Sequence, residues 1–311
     1  MNDAPFDAGA PEPVELVRPD GVVLRGLHWR PACASTSRDA NEARERAPNA
    51  NASRTHGHGV RAVVVHGLGE HAGRQRNVAA FLARRGFDVV AFDHRGHGRS
   101  GGARGALRTQ DDLVEDLCAV IDTASSAPVL LVGHSMGGLV ALRHALAHPH
   151  RIAALVLSSP ALDPALSPGQ KLLLALMSRI APDIGVANGL DASKISHDEA
   201  VVRAYREDPM VHDRITARLA RFIVDGSRDA LERADSLEVP TLLLVAGDDR
   251  LVAPAGSRRL VERAPRGRVD ARIYDGLWHE LFNEREPERT RVFADLGAWL
   301  DTHPLHASAA G

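Results

Sequence analysis

The stretch Gly133-His134-Ser135-Met136-Gly137 constrains this chain more than any other, because of what stands on either side of it. Val129-Leu130-Leu131-Val132 before it reads as a short buried strand. After it, Leu139, Leu142 and Leu146 recur at helical spacing, and Pro149 ends the pattern. Ser135 therefore stands at a strand-to-helix corner, with glycine two residues before it and two after. This is the G-x-S-x-G nucleophile elbow, a tight turn that presents the serine hydroxyl at the edge of a sheet. A side chain at either glycine would collide with the neighbouring strand or helix. The start of the helix brings unpaired N–H groups and a partial positive charge beside any oxyanion that develops there.

A serine hydroxyl is a weak nucleophile until a base takes its proton and a third group orients that base. On an α/β-hydrolase scaffold the acid follows the serine and the histidine comes last. Of 16 histidines, only His279, His303 and His306 lie beyond the last strand able to carry the acid, and the latter two fall in the tail. His279 follows a strand pattern over 269–274, in the loop Asp275-Gly276-Leu277-Trp278. After a strand over 241–245 stand Asp248 and Asp249. Asp249 is the choice for the acid, since Arg250-Leu251-Val252 behind it resembles the apolar anchor that trails such an aspartate. The spacing from Gly247 is one residue short of the commoner pattern, which keeps Asp248 open. The two oxyanion donors are expected from the N–H of Met136, the residue after the serine, and of Leu68, in the turn after a strand over 60–65.

The rest of the chain supports a mostly parallel sheet covered by helices. A hairpin is expected from 14–17 and 22–29 around Arg18-Pro19-Asp20-Gly21. Strands over 60–65, 88–92, 129–132, 153–157, 241–245 and 269–274 alternate with helices over 78–85, 111–124, 256–264 and 287–300. Such alternation of buried runs and helices means an α/β fold. The rhythm breaks over 161–234, a largely helical stretch with the apolar segment Leu172 to Ile180. This reads as a helical cap inserted into an α/β-hydrolase core made of 14–160 and 235–303. Residues 33–58 are polar and without periodicity, as in a flexible loop, and the tail from His303 reads as frayed.

Composition excludes several classes. In a chain of 311 residues, 38 basic against 40 acidic residues show no basic excess of the kind nucleic-acid binding needs. No apolar run reaches the length of a membrane span, the N-terminus lacks a secretory pattern, and the two cysteines, Cys33 and Cys118, do not suggest a disulfide. A cytoplasmic enzyme with no cofactor is the expectation. His144 and His148, one helical turn apart, lack a third ligand in the sequence pattern and read as a solvated face, with no metal expected. His94, His97 and His134 read as hydrogen-bonded scaffold.

At this point a resemblance becomes specific. His66-Gly67-Leu68-Gly69-Glu70-His71-Ala72-Gly73-Arg74 is similar to the H-G-x-G-E-H-x-G-R-Y segment of monoacylglycerol lipases and related lysophospholipase-like hydrolases, of the serine aminopeptidase S33 type. Gly133 to Gly138 looks like their elbow, and Asp93-His94-Arg95-Gly96-His97-Gly98-Arg99-Ser100 like a loop of theirs. The resemblance runs from about Val14 to Leu300, with Gln75 where the family usually carries Tyr. It implies catalysis by Ser135, Asp249 and His279, an oxyanion hole at Leu68 and Met136, and a V-shaped cap. A small-molecule lipid ester is then the expected substrate, either a monoacylglycerol or a lysophospholipid or short-chain ester, with a non-catalytic ligand receptor on this fold as the rival that an intact triad argues against. Glu70 and Arg74 are candidates for headgroup contact or for bracing the oxyanion loop. Leu172, Leu176 and Met177 are candidates for acyl-chain contact, transient contact with a membrane surface, or packing within the cap.

Overall fold

The computed structural model describes residues 9–31, 59–164 and 166–305. The expected loop over 33–58, with Cys33, His56 and His58, lies outside these residues, as does His306. The first half of the chain runs β1 (Glu12–Val17), β2 (Val23–Trp29), β3 (Arg61–Val65), α1 (Arg76–Arg84), β4 (Asp88–Phe92) and α2 (Asp112–Ala124). Next come β5 (Val129–His134), α3 (Met136–Ala147) and β6 (Ile152–Ser158). Then follow α4 (Pro168–Ile180), β7 (Gly185–Ala187), α5 (Glu199–Glu207), β8 (Arg214–Thr216) and α6 (Ala217–Glu232). β9 (Thr241–Ala246), α7 (Pro254–Arg263), β10 (Val269–Tyr274) and α8 (Glu288–Thr302) complete the described elements.

Eight strands form one sheet in the order β1-β2-β4-β3-β5-β6-β9-β10. β1 and β2 are an antiparallel hairpin, β2 pairs antiparallel with β4, and every pairing from β4 to β10 is parallel. The hairpin turn closes as its residues dictate. Asp20 accepts from the Val22 N–H at 3.1 Å, and Gly21 takes φ +84°.

Alternation along β5 explains why the central strands are wholly apolar. Val129 and Leu131 point into one core, with Leu113 and Leu117 of α2 and Leu139 and Leu142 of α3. Leu130 and Val132 point into the other, with Leu82 of α1 and Leu296 of α8. A strand buried on both faces carries no polar side for a period of two to reveal. α3 is nearly encased as well, because α6 lays Leu219 and Phe222 into the same core.

The segment between β6 and β9 differs from a purely helical reading. β7 and β8 pair antiparallel as a two-stranded ribbon among its helices. Strands of three residues are too short for hydrophobic periodicity to show. Several polar contacts bind this segment to the loops at the carboxyl edge of the sheet. His212 N–H donates to the Gly69 carbonyl at 2.9 Å, Glu280 N–H donates to the Ile195 carbonyl at 2.8 Å, and His71 Nε2 pairs with Asp208 at 2.8 Å. At the other end of the chain, most of the tail expected to fray, residues 306–311, lies outside the described residues, while His303 is held against the last helix. Its N–H bonds the Trp299 carbonyl at 3.1 Å, and its ring stacks on Trp299 with centroids 4.3 Å apart.

Asp93, at the end of β4, holds two loops together. Its carboxylate accepts from the Ala72 N–H at 2.7 Å and the Arg99 N–H at 2.8 Å, and it is fully buried. Asp93→Ala leaves both donors without that acceptor. It should lower the unfolding free energy by about 1–3 kcal/mol, read from the midpoint of urea denaturation.

Candidate active site

Ser135 sits at the β5–α3 corner with φ +53° and ψ −121°, a conformation that side chains rarely adopt. Neighbouring hydrogen bonds hold it there. Its N–H donates to the Ser158 carbonyl at 3.0 Å, and its own carbonyl accepts from the Ala161 and Leu139 N–H groups at 2.9 and 3.2 Å. The flanking glycines are steric requirements. A Cβ on Gly137 would stand 2.3 Å from the Val65 carbonyl oxygen and 2.4 Å from that of His66. One on Gly133 would stand 2.5 Å from the Gly137 oxygen.

His279 follows β10, and its Nδ1–H donates to Asp249 Oδ2 at 2.6 Å. Both side chains are buried, 6% and 3% exposed. The other Asp249 oxygen accepts from the N–H groups of Leu251 at 2.8 Å and Val252 at 3.0 Å, so the apolar residues behind the aspartate fix its orientation. Asp248 is exposed and directs its N–H to the Leu277 carbonyl. Between the two candidates, the structure brings Asp249 to the imidazole.

Charge within this pair follows from its surroundings. Burial alone would raise the Asp249 carboxyl, but His279 and the two backbone N–H groups outweigh it and hold the group below the usual carboxylate range. Burial alone would depress His279. The Asp249 carboxylate, helped by Glu280 and Glu70, outweighs that and raises the imidazole above its ordinary 6.5. His134 packs its ring 4.8 Å from that of His279, centroid to centroid. Burial first, then His279, push His134 down to about 3, so it stays neutral and its Nδ1–H donates to the Ser158 carbonyl.

Ser135 and His279 open onto one cavity of about 180 Å³, and both oxyanion candidates, Leu68 and Met136, line it. Most of its wall is apolar, from Leu166, Leu190, Ile195, Ile215, Ile223, Leu251 and Val252, with Asn188 and Tyr205 as polar points. The serine and imidazole share this wall without a formed hydrogen bond among the described residues. Bonds of this type commonly tighten only around a bound substrate.

Glu70 and Arg74 have a different environment from one facing ligand alone. Gly67 N–H donates to Glu70 Oε1 at 2.6 Å, and Arg74 Nε donates to Glu70 Oε2 at 3.2 Å. Arg74 Nη2 reaches both oxygens of Glu280 at 2.6 Å, and its guanidinium lies 4.7 Å from the Tyr205 ring centroid. Gln75, in the place of the resembling family's Tyr, donates to Glu70 at 3.1 Å. Glu70 and Glu280 reach the cavity wall, whereas Arg74 lies behind them. Burial and then the Glu280 charge push Glu70 up, with Arg74 pulling the other way. Glu280 is held down, since Arg74 outweighs burial. Glu280 and Tyr205 were not legible as site residues: one is a lone acid after the histidine, and the other belongs to the inserted segment.

Two expectations are corrected by position. Leu172 and Leu176 are 74% and 52% exposed, and neither they nor half-buried Met177 lines the cavity. The face of α4 that carries them is turned outward, and the chain just before α4, at Pro164 and Leu166, supplies the cavity wall instead. His144 is not part of a solvated face, for it is fully buried. By contrast, His94 donates from Nε2 to the His66 carbonyl at 3.1 Å, and His97 from Nδ1 to the Arg95 carbonyl at 3.0 Å. Burial drives both imidazoles well below their usual range, so they are neutral scaffold.

The serine aminopeptidase S33 family matches residues 59–286. A monoacylglycerol lipase of Mycolicibacterium smegmatis is 40% identical over 248 residues, 78% of this chain and 88% of that protein. A phospholipase of Bacillus subtilis is 32% identical over 78% of this chain and 95% of its own length. Among solved structures, Paleococcus ferrophilus monoacylglycerol lipase superposes with a TM-score of 0.74 at 36% identity, over 78% of this chain and 94% of that one. A soluble variant of the Saccharomyces cerevisiae monoglyceride lipase, solved with a substrate analog, shares the fold at TM-score 0.81 and 21% identity, over 97% and 99% of the two chains.

Removing the Arg74 guanidinium strands two buried carboxylates. Arg74→Ala should therefore cost about 3–5 kcal/mol in urea denaturation, with Arg74→Lys restoring part of the loss. With the fold, the elbow and these relatives in agreement, the chain belongs to the serine aminopeptidase S33 family. It is an α/β-hydrolase of the monoacylglycerol lipase and lysophospholipase-like kind, and a carboxylic ester hydrolase.

Proposed function

We propose that this enzyme hydrolyses monoacylglycerols through an acyl-enzyme on Ser135. The observation that carries the reading is the buried Asp249–His279 pair, whose imidazole stands in the wall of the apolar cavity onto which Ser135 opens. His279 takes the Ser135 proton as Oγ attacks the ester carbonyl, and Asp249 stays ionised, holding the imidazole tautomer and stabilising the imidazolium. The N–H groups of Met136 and Leu68 receive the oxyanion. Since Glu70 already takes the Gly67 N–H, Leu68 is the donor we assign in that loop. The protonated His279 then passes its proton to the leaving glycerol. Water, deprotonated by the same imidazole, releases the fatty acid and restores the serine. No cofactor enters.

Residues 161–234 act in this reading as a cap on a core of 14–160 and 235–303. Their inward apolar residues suit an acyl chain. The exposed Leu172, Leu173, Leu176 and Ile180 on α4 suit brief contact with a lipid surface. Among the described residues no helix is long and apolar enough to cross a membrane. We assign the protein to the cytoplasm, in keeping with the free thiol of Cys118. The phospholipase relative supports a second reading, lysophospholipid hydrolysis by the same machinery.

Assaying monoacylglycerols, lysophospholipids and p-nitrophenyl esters of graded chain length separates the two readings. Monoacylglycerols should give the highest kcat/KM. Ser135→Ala should abolish turnover and labelling by a fluorophosphonate, and labelling that survives it would refute the assignment. The raised imidazole sets the sign of the pH dependence. Neutral His279 accumulates only as pH rises past a value above 6.5, so kcat/KM should climb through that point. Asp249→Asn should shift this limb downward and slow turnover by about 10⁴-fold. A flat profile between about pH 5 and 8 would remove His279 as the base.

A further inference from the structure

At the end of α3 remote from Ser135 lies a cluster that the ester chemistry does not use. A rise of about 1.5 Å per residue puts His144 and His148 roughly 14 and 20 Å along the helix from the serine. Cys118 of α2 meets them there. The thiol sulfur and one nitrogen of each imidazole all lie within 4.8 Å of one another, the one grouping of this kind among the described residues. The two imidazoles face each other with centroids 4.9 Å apart. His144 is fully buried, and neither of its ring nitrogens has a hydrogen-bond partner. Buried polar atoms left in that state are rare in folded proteins and ask for a ligand or an ordered water.

We propose that Cys118, His144 and His148 bind a divalent transition-metal ion of the Zn²⁺ class, which staples α2 to α3. One thiolate and two imidazoles form a tetrahedral-type donor set that suits Zn²⁺ and not the oxygen-seeking Mg²⁺ or Ca²⁺. Asp122, one turn beyond Cys118, accepts from the thiol at 3.7 Å and pairs with Arg151 at 2.8 Å, so the fourth position falls to a water molecule. Bond lengths of about 2.3 Å to sulfur and 2.0–2.1 Å to nitrogen set ligand atoms about 3.4 Å apart, so binding requires the side chains to close by up to about 1.4 Å. Coordination releases the thiol proton to solvent. His148 also caps the carboxyl end of α3, where the helix dipole favours a cation.

Co²⁺ titration of the chelator-stripped full-length protein tests the site. The expected result is one equivalent bound with a thiolate-to-cobalt charge-transfer band, displaced by Zn²⁺. Cys118→Ser should abolish the band, and Cys33→Ser and His56→Ala/His58→Ala should retain it. His148→Ala, at a half-exposed position, should weaken binding on the order of 10–100-fold. Zn²⁺ should raise the melting temperature of the unmodified protein and not of Cys118→Ser. Absence of the band, or its survival in Cys118→Ser, overturns the proposal.

Discussion

The close approach of α3 to the end of β3 is the constraint on which the site depends. With the Val65 and His66 carbonyls where a Gly137 side chain would go, the helix can start only if that residue has none. That approach seats the first turn of α3 beside the loop carrying Gly67 and Leu68, so backbone donors from two strand ends meet at one place. It also forces Ser135 into its left-handed conformation, which the bonds to Ser158, Leu139 and Ala161 then hold. The corner is strained, and its strain is met by a helix buried on nearly every side.

Around this corner two kinds of charge organisation coexist. Asp249 and His279 are buried, paired and aligned by backbone N–H groups, which leaves the other imidazole nitrogen, Nε2, outside the pair. Glu70, Arg74 and Glu280 form a second buried network whose cation sits between two acids. Its Gly67 bond connects it directly to the loop that carries Leu68. The second network lends the first a modest electrostatic push, since Glu280 and Glu70 both favour the protonated imidazole. His134, His94 and His97 are kept neutral by burial, so they shape the surroundings without adding charge.

The segment between β6 and β9 supplies much of the apolar cavity wall. β7 and β8 bring Asn188 and Ile215 to the wall, and α6 adds Ile223. The segment is tied to the loops after β3 and β10 through Gly69, Ile195 and Asp208. Its most apolar stretch in sequence is not its most buried one. α4 turns Leu172 and Leu176 outward, while the wall draws on the chain before the helix and on the elements after it.

The elbow, the order Ser135, aspartate, His279 and the alternation of strands with helices were legible in the sequence. Each is written in local signals: glycines that sterics require, apolar runs, and helical spacing ended by proline. Asp249 was preferred over Asp248 on the apolar residues behind it, but adjacent aspartates are separated firmly only by which one the tertiary fold turns toward the imidazole. The ribbon of β7 and β8, the roles of Glu280 and Tyr205, and the outward face of α4 were also out of reach. So was the meeting of Cys118 with His144 and His148. Those features depend on contacts between residues far apart in the chain, and only packing in three dimensions decides them.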